Sequence, residues 1–293
     1  MKLLRLTVVL AAVDSDESSG DALQGASELA RSADAKLHVV HVAPSDGGQK
    51  AAERDDGLER LLNRAGLKPA DVSVHLLTGD PPNEIRALGD RLRADVIVLG
   101  KHRHGKVDAQ RIGSTALGVV TNSWAPCLVL TGPMRLPLER VLVPLDLSDT
   151  SRGAMVVALS WASALRLAEQ RDGSGSNQSV ALTALVVDSS TRTDAGSQQP
   201  HALDTALDRL RQDAGTWANV AIAGDVVPSR DVPAAIAAYA DQHDADLVVL
   251  GTRGLGLDSV GRLGSVSLGV AQRVAIPILL VPPAVWNSYA TPS

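Results

Sequence analysis

A glycine-rich segment late in the sequence has the composition and spacing of a phosphate-binding loop. Residues 251–265 read GTRGLGLDSVGRLGS and follow the apolar run ADLVVL, which is typical of a buried strand. Gly251 and Gly254 stand three residues apart, and Gly264 and Ser265 follow at the expected start of a helix. A polyphosphate needs backbone N–H groups that no Cβ shields, and a helix N-terminus adds unpaired N–H groups and a favourable dipole. The segment therefore predicts an anion site.

Two better-known phosphate motifs do not fit this chain. A dinucleotide fingerprint needs G-x-G-x-x-G after the first strand of its unit, where the second part of this sequence has DLSDTS (146–151). A Walker A loop needs G-x-x-x-x-G-K-[ST], and no Gly-Lys-Ser or Gly-Lys-Thr occurs. The alternative stays open that this segment is an ordinary surface loop, in which the glycines form turns and bind no ligand.

The same sequence pattern occurs twice in the chain. Residues 79–130 and 230–281 align without a gap, and about a third of the aligned positions are identical, which chance does not produce over this length. The segment TGPMRLPLE (131–139) carries proline and glycine and marks the boundary between the two copies. We expect one domain over residues 1–134 and a second over residues 138–285.

Strands and helices alternate within each copy. The strand candidates TVVLAAV, KLHVVHV, ADVIVLG and PCLVL are continuous apolar or β-branched runs, as expected for parallel strands covered on both faces. Amphipathic stretches such as GLERLLNRAG lie between them. This order predicts an α/β fold of two tandem doubly wound domains, each with a five-stranded parallel sheet. Ligands bind such sheets beyond the carboxyl ends of the strands, where the strand order reverses, here after Val13 and Leu99 and after Leu145 and Leu250.

Composition and charge exclude several classes of function. The net charge of −5 and the pI of about 5.8 give no electrostatic basis for non-specific binding to nucleic acid or to an anionic membrane. No run reaches the roughly 18–20 apolar residues that span a bilayer. The N-terminal run LTVVLAAV leads directly into acidic residues without a cleavage site, which favours a strand over a signal peptide. With Cys127 as the single cysteine, we expect a reducing compartment and a cytoplasmic protein.

The motif G-x2-G-x9-G-[ST] after a fourth strand, with an Asp ending the first strand, resembles that of the universal stress protein family, in tandem form and over nearly the whole chain. The resemblance implies an adenine-nucleotide α-hydrolase-like fold with flavodoxin-like strand order, and ATP as the ligand of the nucleotide-binding members. It also implies that Mg or Mn accompanies the triphosphate without direct protein ligands. The cofactor-binding residues that it implies in the second domain are Pro144, Asp146, Val186, Leu250, Gly251, Gly254, Gly264, Ser265, Val266 and Ser267.

The resemblance also assigns roles to these residues, and some of the roles have alternatives that need no ligand. Asp146 would contact the nucleoside, Val186 would meet adenine through its main chain, and residues 264–267 would cradle the triphosphate. In the alternative, Asp146 caps the following helix, and Val186 is chiefly a core residue whatever else it does. The Ser267 hydroxyl either meets phosphate or metal or belongs to an ordinary first helical turn.

The first copy keeps only part of the motif. Its weaker candidate residues are Asp14, Val42, Gly100, Arg103, Gly113 and Ser114. Arg103 stands where the second copy has Gly254, and Ala116 stands where it has Ser267. If a ligand must approach position 103 closely, the arginine obstructs the site. In the alternative, Arg103 and Lys101 reach over the phosphates and replace backbone dipoles by charge. We favour impaired or absent binding in the first domain.

Histidine and cysteine are weaker signals. His102 and His104 are spaced for a shared metal, but the sequence places no third ligand near them, which favours a solvated basic loop. His38 and His41 lie on a predicted strand and are expected to pack in or near the core. Cys127 is expected to act as a small buried hydrophobe.

The pattern favours a binding protein over an enzyme. No G-x-S-x-G elbow brings Ser, His and Asp together, so hydrolysis would rest on metal and water positioning and would be slow. We expect an ATP-binding stress-response protein whose occupancy changes its shape or its protein partners. A dimerisation scaffold that binds no nucleotide, and an ATP-using enzyme of related architecture, are the alternatives.

The strands PCLVL and PILLV are expected to pair edge to edge as an intrachain pseudo-dimer, and two chains to associate as a homodimer.

Overall fold

Strands and helices alternate along the chain in the computed structural model. The structure describes residues 6–14, 19–43, 51–68, 72–101, 112–171, 179–189, 203–205, 207–208, 219–253 and 263–285. Within these residues the elements fall into a first half, which contains strands β1 to β5, and a second half, which contains strands β6 to β10.

The first half alternates five strands with four helices over its described residues. The elements are β1 Val8–Ala12, α1 Gly20–Ala33, β2 Lys36–Ala43, α2 Ala51–Arg64, β3 Ser73–Thr78, α3 Pro81–Leu92, β4 Val96–Gly100, α4 Ser114–Asn122 and β5 Cys127–Leu130.

The second half repeats the pattern. Its elements are β6 Arg140–Pro144, α5 Asp149–Arg171, β7 Val180–Asp188, β8 Val220–Pro228, α6 Val232–Gln242, β9 Leu247–Gly251, α7 Ser265–Arg273 and β10 Ile278–Val281. Residues 203–205 and 207–208, between β7 and β8, are helical as well.

Equivalent helices in the two halves begin through the same device. The Asp80 carboxylate accepts a hydrogen bond from Asn83 N at the start of α3, and the Asp231 carboxylate accepts one from Ala234 N at the start of α6. Each aspartate caps otherwise unpaired N–H groups, and a proline in the first turn supplies the helical φ. The repeat seen in the sequence is therefore a repeat of local structure.

All ten strands form one sheet with the order β3-β2-β1-β4-β5-β10-β9-β6-β7-β8. Neighbouring strands are parallel except at the junction, where β5 and β10 run antiparallel and Leu279 lies opposite Leu128. This is the edge-to-edge pairing of PCLVL with PILLV expected from the sequence. It covers two strand edges that would otherwise expose unpaired backbone groups.

The expected fold class is confirmed, but the flavodoxin-like strand order is wrong. The first half has the order 3-2-1-4-5, in which β1 lies between β2 and β4, and the second half mirrors it. A flavodoxin-like sheet would have the order 2-1-3-4-5. The chain here moves outward from β1 through β2 to β3 and then returns to the other side of β1. The order therefore reverses between β1 and β4, and between β6 and β9.

Helices cover both faces of the sheet. One buried apolar cluster combines α1, α2 and α5 with the sheet, and a second combines α3, α4, α6 and α7 with the opposite face. Both clusters contain residues from the two halves, so the core continues through the β5–β10 junction. Among the described residues, no helix is both long enough and apolar enough to cross a membrane.

Candidate functional site

The second half has an open cavity at the carboxyl ends of β6 and β9, where the strand order reverses. The cavity has a volume of about 350 Å³. Its lining residues are Pro144, Leu145, Asp146, Leu147, Ser151, Leu185, Val186, Val187, Ser189, Val232, Ile236, Leu250, Gly251, Arg253, Gly264, Ser265, Val266 and Ser267. Ligand sites typically occupy about 300–1,000 Å³ and combine apolar walls with a few polar groups, and this cavity has both properties.

The N-terminus of α7 supplies the polar wall of the cavity. Gly264 is the N-cap, with φ −59° and ψ 146°, and the first intrahelical bond runs from Leu268 N to Gly264 O at 2.9 Å. The N–H groups of residues 265–267 therefore precede the first intrahelical donor, and they carry the positive end of the helix dipole. Together with the cavity volume, this arrangement suits an anionic ligand.

Gly264 brings this helix end close to the end of β9. Its N–H donates to Thr252 O at 2.8 Å. A Cβ at position 264 would lie 3.3 Å from Thr252 O and 3.6 Å from Ser267 Oγ. The φ of −59° suits any residue, so the glycine is needed for close packing and not for backbone conformation.

Gly251 is required by a neighbouring helix. A Cβ at position 251 would lie 2.8 Å from Thr150 Cγ2 and 3.1 Å from the Thr150 carbonyl carbon and oxygen. The first turn of α5 therefore packs directly on the end of β9. Since both segments line the cavity, this contact fixes the distance between its walls.

Asp146 lies exposed at the cavity rim, in the turn that leads into α5. Its Oδ1 accepts a hydrogen bond from Ser148 N at 3.0 Å, and Ser148 Oγ in turn accepts one from Ser151 N at 3.2 Å. Ser148 therefore caps α5, and Asp146 shapes the turn that leads into this cap.

The hydroxyl of Ser267 is engaged inside the protein. It donates to Gly251 O at 2.7 Å, and Ser267 is buried. In this arrangement the hydroxyl proton is used within the protein, and a contact of Ser267 with phosphate or metal stays a prediction. The hydrogen bond ties the first turn of α7 to the last residue of β9.

The first half has a much smaller cavity at the equivalent place. Its volume is about 110 Å³, well below the size of typical ligand sites. Its lining residues are Ala12, Val13, Asp14, Ser19, Val42, Pro81, Ile85, Leu99, Gly100, Lys101, Gly113, Ser114, Thr115 and Ala116. Inside this crevice Asp14 N donates to Ser19 Oγ at 2.7 Å.

Lys101 does not reach over a phosphate site in the first half. Its Nζ donates to Val274 O of the second half at 3.1 Å, and the side chain is buried. Burial also lowers the pKa of Lys101 from its ordinary value. The interpretation in which Lys101 supplies charge to bound phosphates is therefore wrong. Arg103, the other residue of that interpretation, lies outside the described residues.

His41, the pair His38 and His75, and Cys127 behave as packing residues. His41 is buried, and its Nδ1 lies 3.1 Å from Val13 O, as expected for a core histidine. His38 is half-buried and stacks on His75, and burial lowers the pKa of both. Burial raises the pKa of Cys127 to about 12. His102 and His104 lie outside the described residues, which contain no cluster of three or more potential metal ligands.

The profile of the universal stress protein family matches residues 6–131 and again residues 137–282. The chain belongs to the universal stress protein family. The two matches show two universal stress protein domains in tandem, and the α/β fold with its mostly parallel sheet agrees with this assignment.

Individual relatives resemble the chain at moderate identity. Universal stress protein Slr1230 of Synechocystis is 29% identical over 123 residues, which are 42% of this chain and 42% of that protein. The match thus spans less than half the length of that curated relative. A universal stress protein from Archaeoglobus fulgidus has 19% identity and a TM-score of 0.64, over 95% of this chain and 97% of its own, so the two share a fold.

A further family structure from Archaeoglobus fulgidus is a complex with dAMP. It matches 42% of this chain and 96% of its own chain, at 26% identity and a TM-score of 0.35. That likeness is limited to the length of one domain, and no ligand of this chain follows from it.

The structure brings together most of the residues that the sequence places at a nucleotide site. Nine of the ten candidates in the second universal stress protein domain line its cavity, and the tenth, Gly254, lies outside the described residues. In the first domain Asp14, Val42, Gly100, Gly113 and Ser114 line the smaller cavity.

Sequence reasoning missed several lining residues of the second cavity. Arg253 is the most relevant, because it adds a cation beside the N-terminus of α7. It lies inside the glycine-rich segment, so its positive charge could have been used to predict a phosphate-binding role from the sequence. Val232 and Ile236 come from α6, which no motif connects to the site.

Proposed function

We propose that this universal stress protein binds ATP in the cavity of its second half, with a divalent cation held through the phosphates, and that the first half binds nucleotide weakly or not at all. The observation that carries the proposal is the cavity of about 350 Å³, which ends at the N-terminus of α7. The equivalent cavity of the first half measures about 110 Å³. In this proposal the two domains extend over residues 1–134 and 138–285.

The two kinds of wall suit the two ends of a nucleotide. Leu185, Val186 and Ile236 give an apolar surface against which a base packs, and Asp146 at the rim offers a carboxylate to ribose hydroxyls. The N–H groups of residues 265–267 and the Arg253 guanidinium form the end that favours phosphates. The apolar end and the cationic end thus match one amphiphilic ligand.

The site is better suited to holding a nucleotide than to breaking it down. Among the described lining residues Asp146 is the only carboxylate, and there is no histidine or cysteine to activate water. Hydrolysis would depend on the metal and on water positioning, so turnover would be slow. We infer a regulatory binding protein of the cytoplasm, in which nucleotide occupancy changes the surface offered to a protein partner or to a second chain.

Calorimetric titration of the full chain, first freed of any nucleotide that it carries from purification, with ATP, ADP, AMP and GTP, each with and without magnesium, tests this function. The proposal expects one ATP site per chain, weaker binding of AMP because it lacks two phosphates, and weaker ATP binding without magnesium. A parallel phosphate-release assay should show little turnover. Rapid magnesium-dependent ATP hydrolysis would instead make the protein an enzyme.

A scaffold function is the second candidate, and the structure of the junction favours it. Antiparallel pairing of β5 with β10 joins the halves into one sheet. In that case no nucleotide would bind at either cavity in the titration. The protein would then act through its surface alone.

A further inference from the structure

Two side chains of the first half reach the same end of one helix in the second half. Lys101 Nζ donates to Val274 O at 3.1 Å, and Thr131 Oγ1 donates to Ala275 O at 2.5 Å. Both carbonyls lie just beyond α7, for which Val274 is the C-cap. The carbonyl end of a helix carries partial negative charge and lacks intrahelical donors, so an ammonium and a hydroxyl there stabilise it.

These two residues form a unit, which we call the junction clamp. Lys101 follows β4 and Thr131 follows β5, and Lys101 N donates to Leu130 O at 2.8 Å. Only 4% of Lys101 is exposed. A buried ammonium keeps its hydrogen bond because breaking it would leave the charge desolvated and unpaired. The clamp therefore fixes the position of the C-terminal end of α7.

The opposite end of the same helix is the phosphate cradle of the proposed site. α7 has nine residues, and at about 1.5 Å per residue it is roughly 13 Å long. Because the two ends of the helix are so close, we expect a displacement of Val274 to displace the N–H groups of residues 265–267 as well. Ser267, bonded to Gly251 O at 2.7 Å, is the counterpart that holds the cradle end.

The clamp acts in one direction only. In the repeat alignment Thr252 occupies the position of Lys101, and Pro282 occupies the position of Thr131. Threonine lacks the four-carbon stem and the ammonium of lysine, and proline has no hydroxyl. The second half therefore cannot hold α4 with the groups by which the first half holds α7.

We propose that Lys101 and Thr131 are positioning residues through which the first half, itself poorly suited to nucleotide, sets the nucleotide affinity of the second half. This inference rests on the proposed function, because it takes the cavity beside α7 to be a nucleotide site. It gives the first half a defined task, the support of α7 from across the junction.

The test compares full-length variants in two measurements, ATP affinity with magnesium and amide hydrogen exchange without nucleotide. Lys101→Met removes the ammonium, and Thr131→Val removes the hydroxyl at nearly constant volume. For each we expect the Kd for ATP to rise about fivefold or more, the low end of coupling between sites. We also expect faster exchange in residues 268–274, with exchange in α4 unchanged.

Two control variants separate positioning from general damage. Thr131→Ser keeps the hydroxyl and should bind ATP as the wild type does. Lys36→Met removes an exposed lysine of the first half and should change neither measurement. If Lys101→Met fails to fold, the Thr131 pair still decides the question.

The two proposals fail in different ways. Wild-type ATP affinity in both Lys101→Met and Thr131→Val would overturn the clamp and leave the nucleotide site intact. If the wild type binds no ATP, the proposed function fails, and exchange in nucleotide-free protein then decides whether the clamp holds α7. Unchanged exchange in residues 268–274 would overturn the clamp in either case.

Discussion

Replacing Gly264 by alanine should weaken ATP binding through one steric contact. The new Cβ would lie 3.3 Å from Thr252 O, closer than an ordinary contact, so the N-terminus of α7 or the end of β9 must shift by a few tenths of an ångström. That shift disturbs the 2.8 Å hydrogen bond from Gly264 N to Thr252 O and misplaces the cradle. We expect the Kd for ATP to rise about tenfold, equivalent to about 1.4 kcal/mol.

The equivalent residue of the first half provides a matched control. Gly113 is also an N-cap with φ −61°, but a Cβ there would meet only Lys101 O, at an ordinary 3.5 Å. Both substitutions should cost about 1 kcal/mol of stability, because alanine is a poor N-cap, and chemical denaturation measures this common cost. Only Gly264→Ala should weaken ATP binding in calorimetric titration. Wild-type ATP affinity in Gly264→Ala, or an equal loss of affinity in Gly113→Ala, would show that the contact of Gly264 with Thr252 does not position the cradle.

Three further predictions concern packing and ionisation. Gly251→Ala should lower the free energy of unfolding by about 2 kcal/mol, because its Cβ would lie 2.8 Å from Thr150 Cγ2 and 3.1 Å from the Thr150 backbone. Urea denaturation measures this change, and an unfolding midpoint equal to that of the wild type would contradict it. Burial is the main cause that lowers the pKa values of His38 and His75, so these two residues bind more protons in the unfolded chain than in the folded chain. Stability should therefore fall as the pH drops below their ordinary value of 6.5, and His75→Gln should flatten that dependence in denaturation measured across pH. Cys127, buried and with its pKa raised to about 12, should resist a thiol reagent at pH 8 until the protein is unfolded; rapid labelling of native protein would contradict its burial.

The sequence was sufficient to predict the elements and the place of the cavity. Continuous apolar runs predicted the strands, and the internal repeat predicted that the same order of elements occurs twice. The rule that ligands bind where strand order reverses put the site after Leu145 and Leu250, and both line the second cavity.

The strand order and the directions of the Ser267 and Lys101 side chains could not be predicted from the sequence. Periodicity tells which face of a strand is buried, but not which strand lies beside it, so 3-2-1-4-5 and 2-1-3-4-5 gave the same pattern. Composition also did not show that Ser267 turns its hydroxyl to Gly251 O, or that Lys101 crosses to Val274. These contacts join residues far apart in the chain, and only the folded packing brings them together.

Nucleotide binding by the second half is tested most simply by a count of the small molecules that the purified protein carries. The full chain would be purified without added nucleotide and denatured, and the released compounds identified and quantified per chain. We predict one adenine nucleotide per chain, held by the second half, because only that half has a cavity of ligand size. Two per chain would show that the first half is a working site, and none, even after incubation with ATP and magnesium, would contradict nucleotide binding altogether.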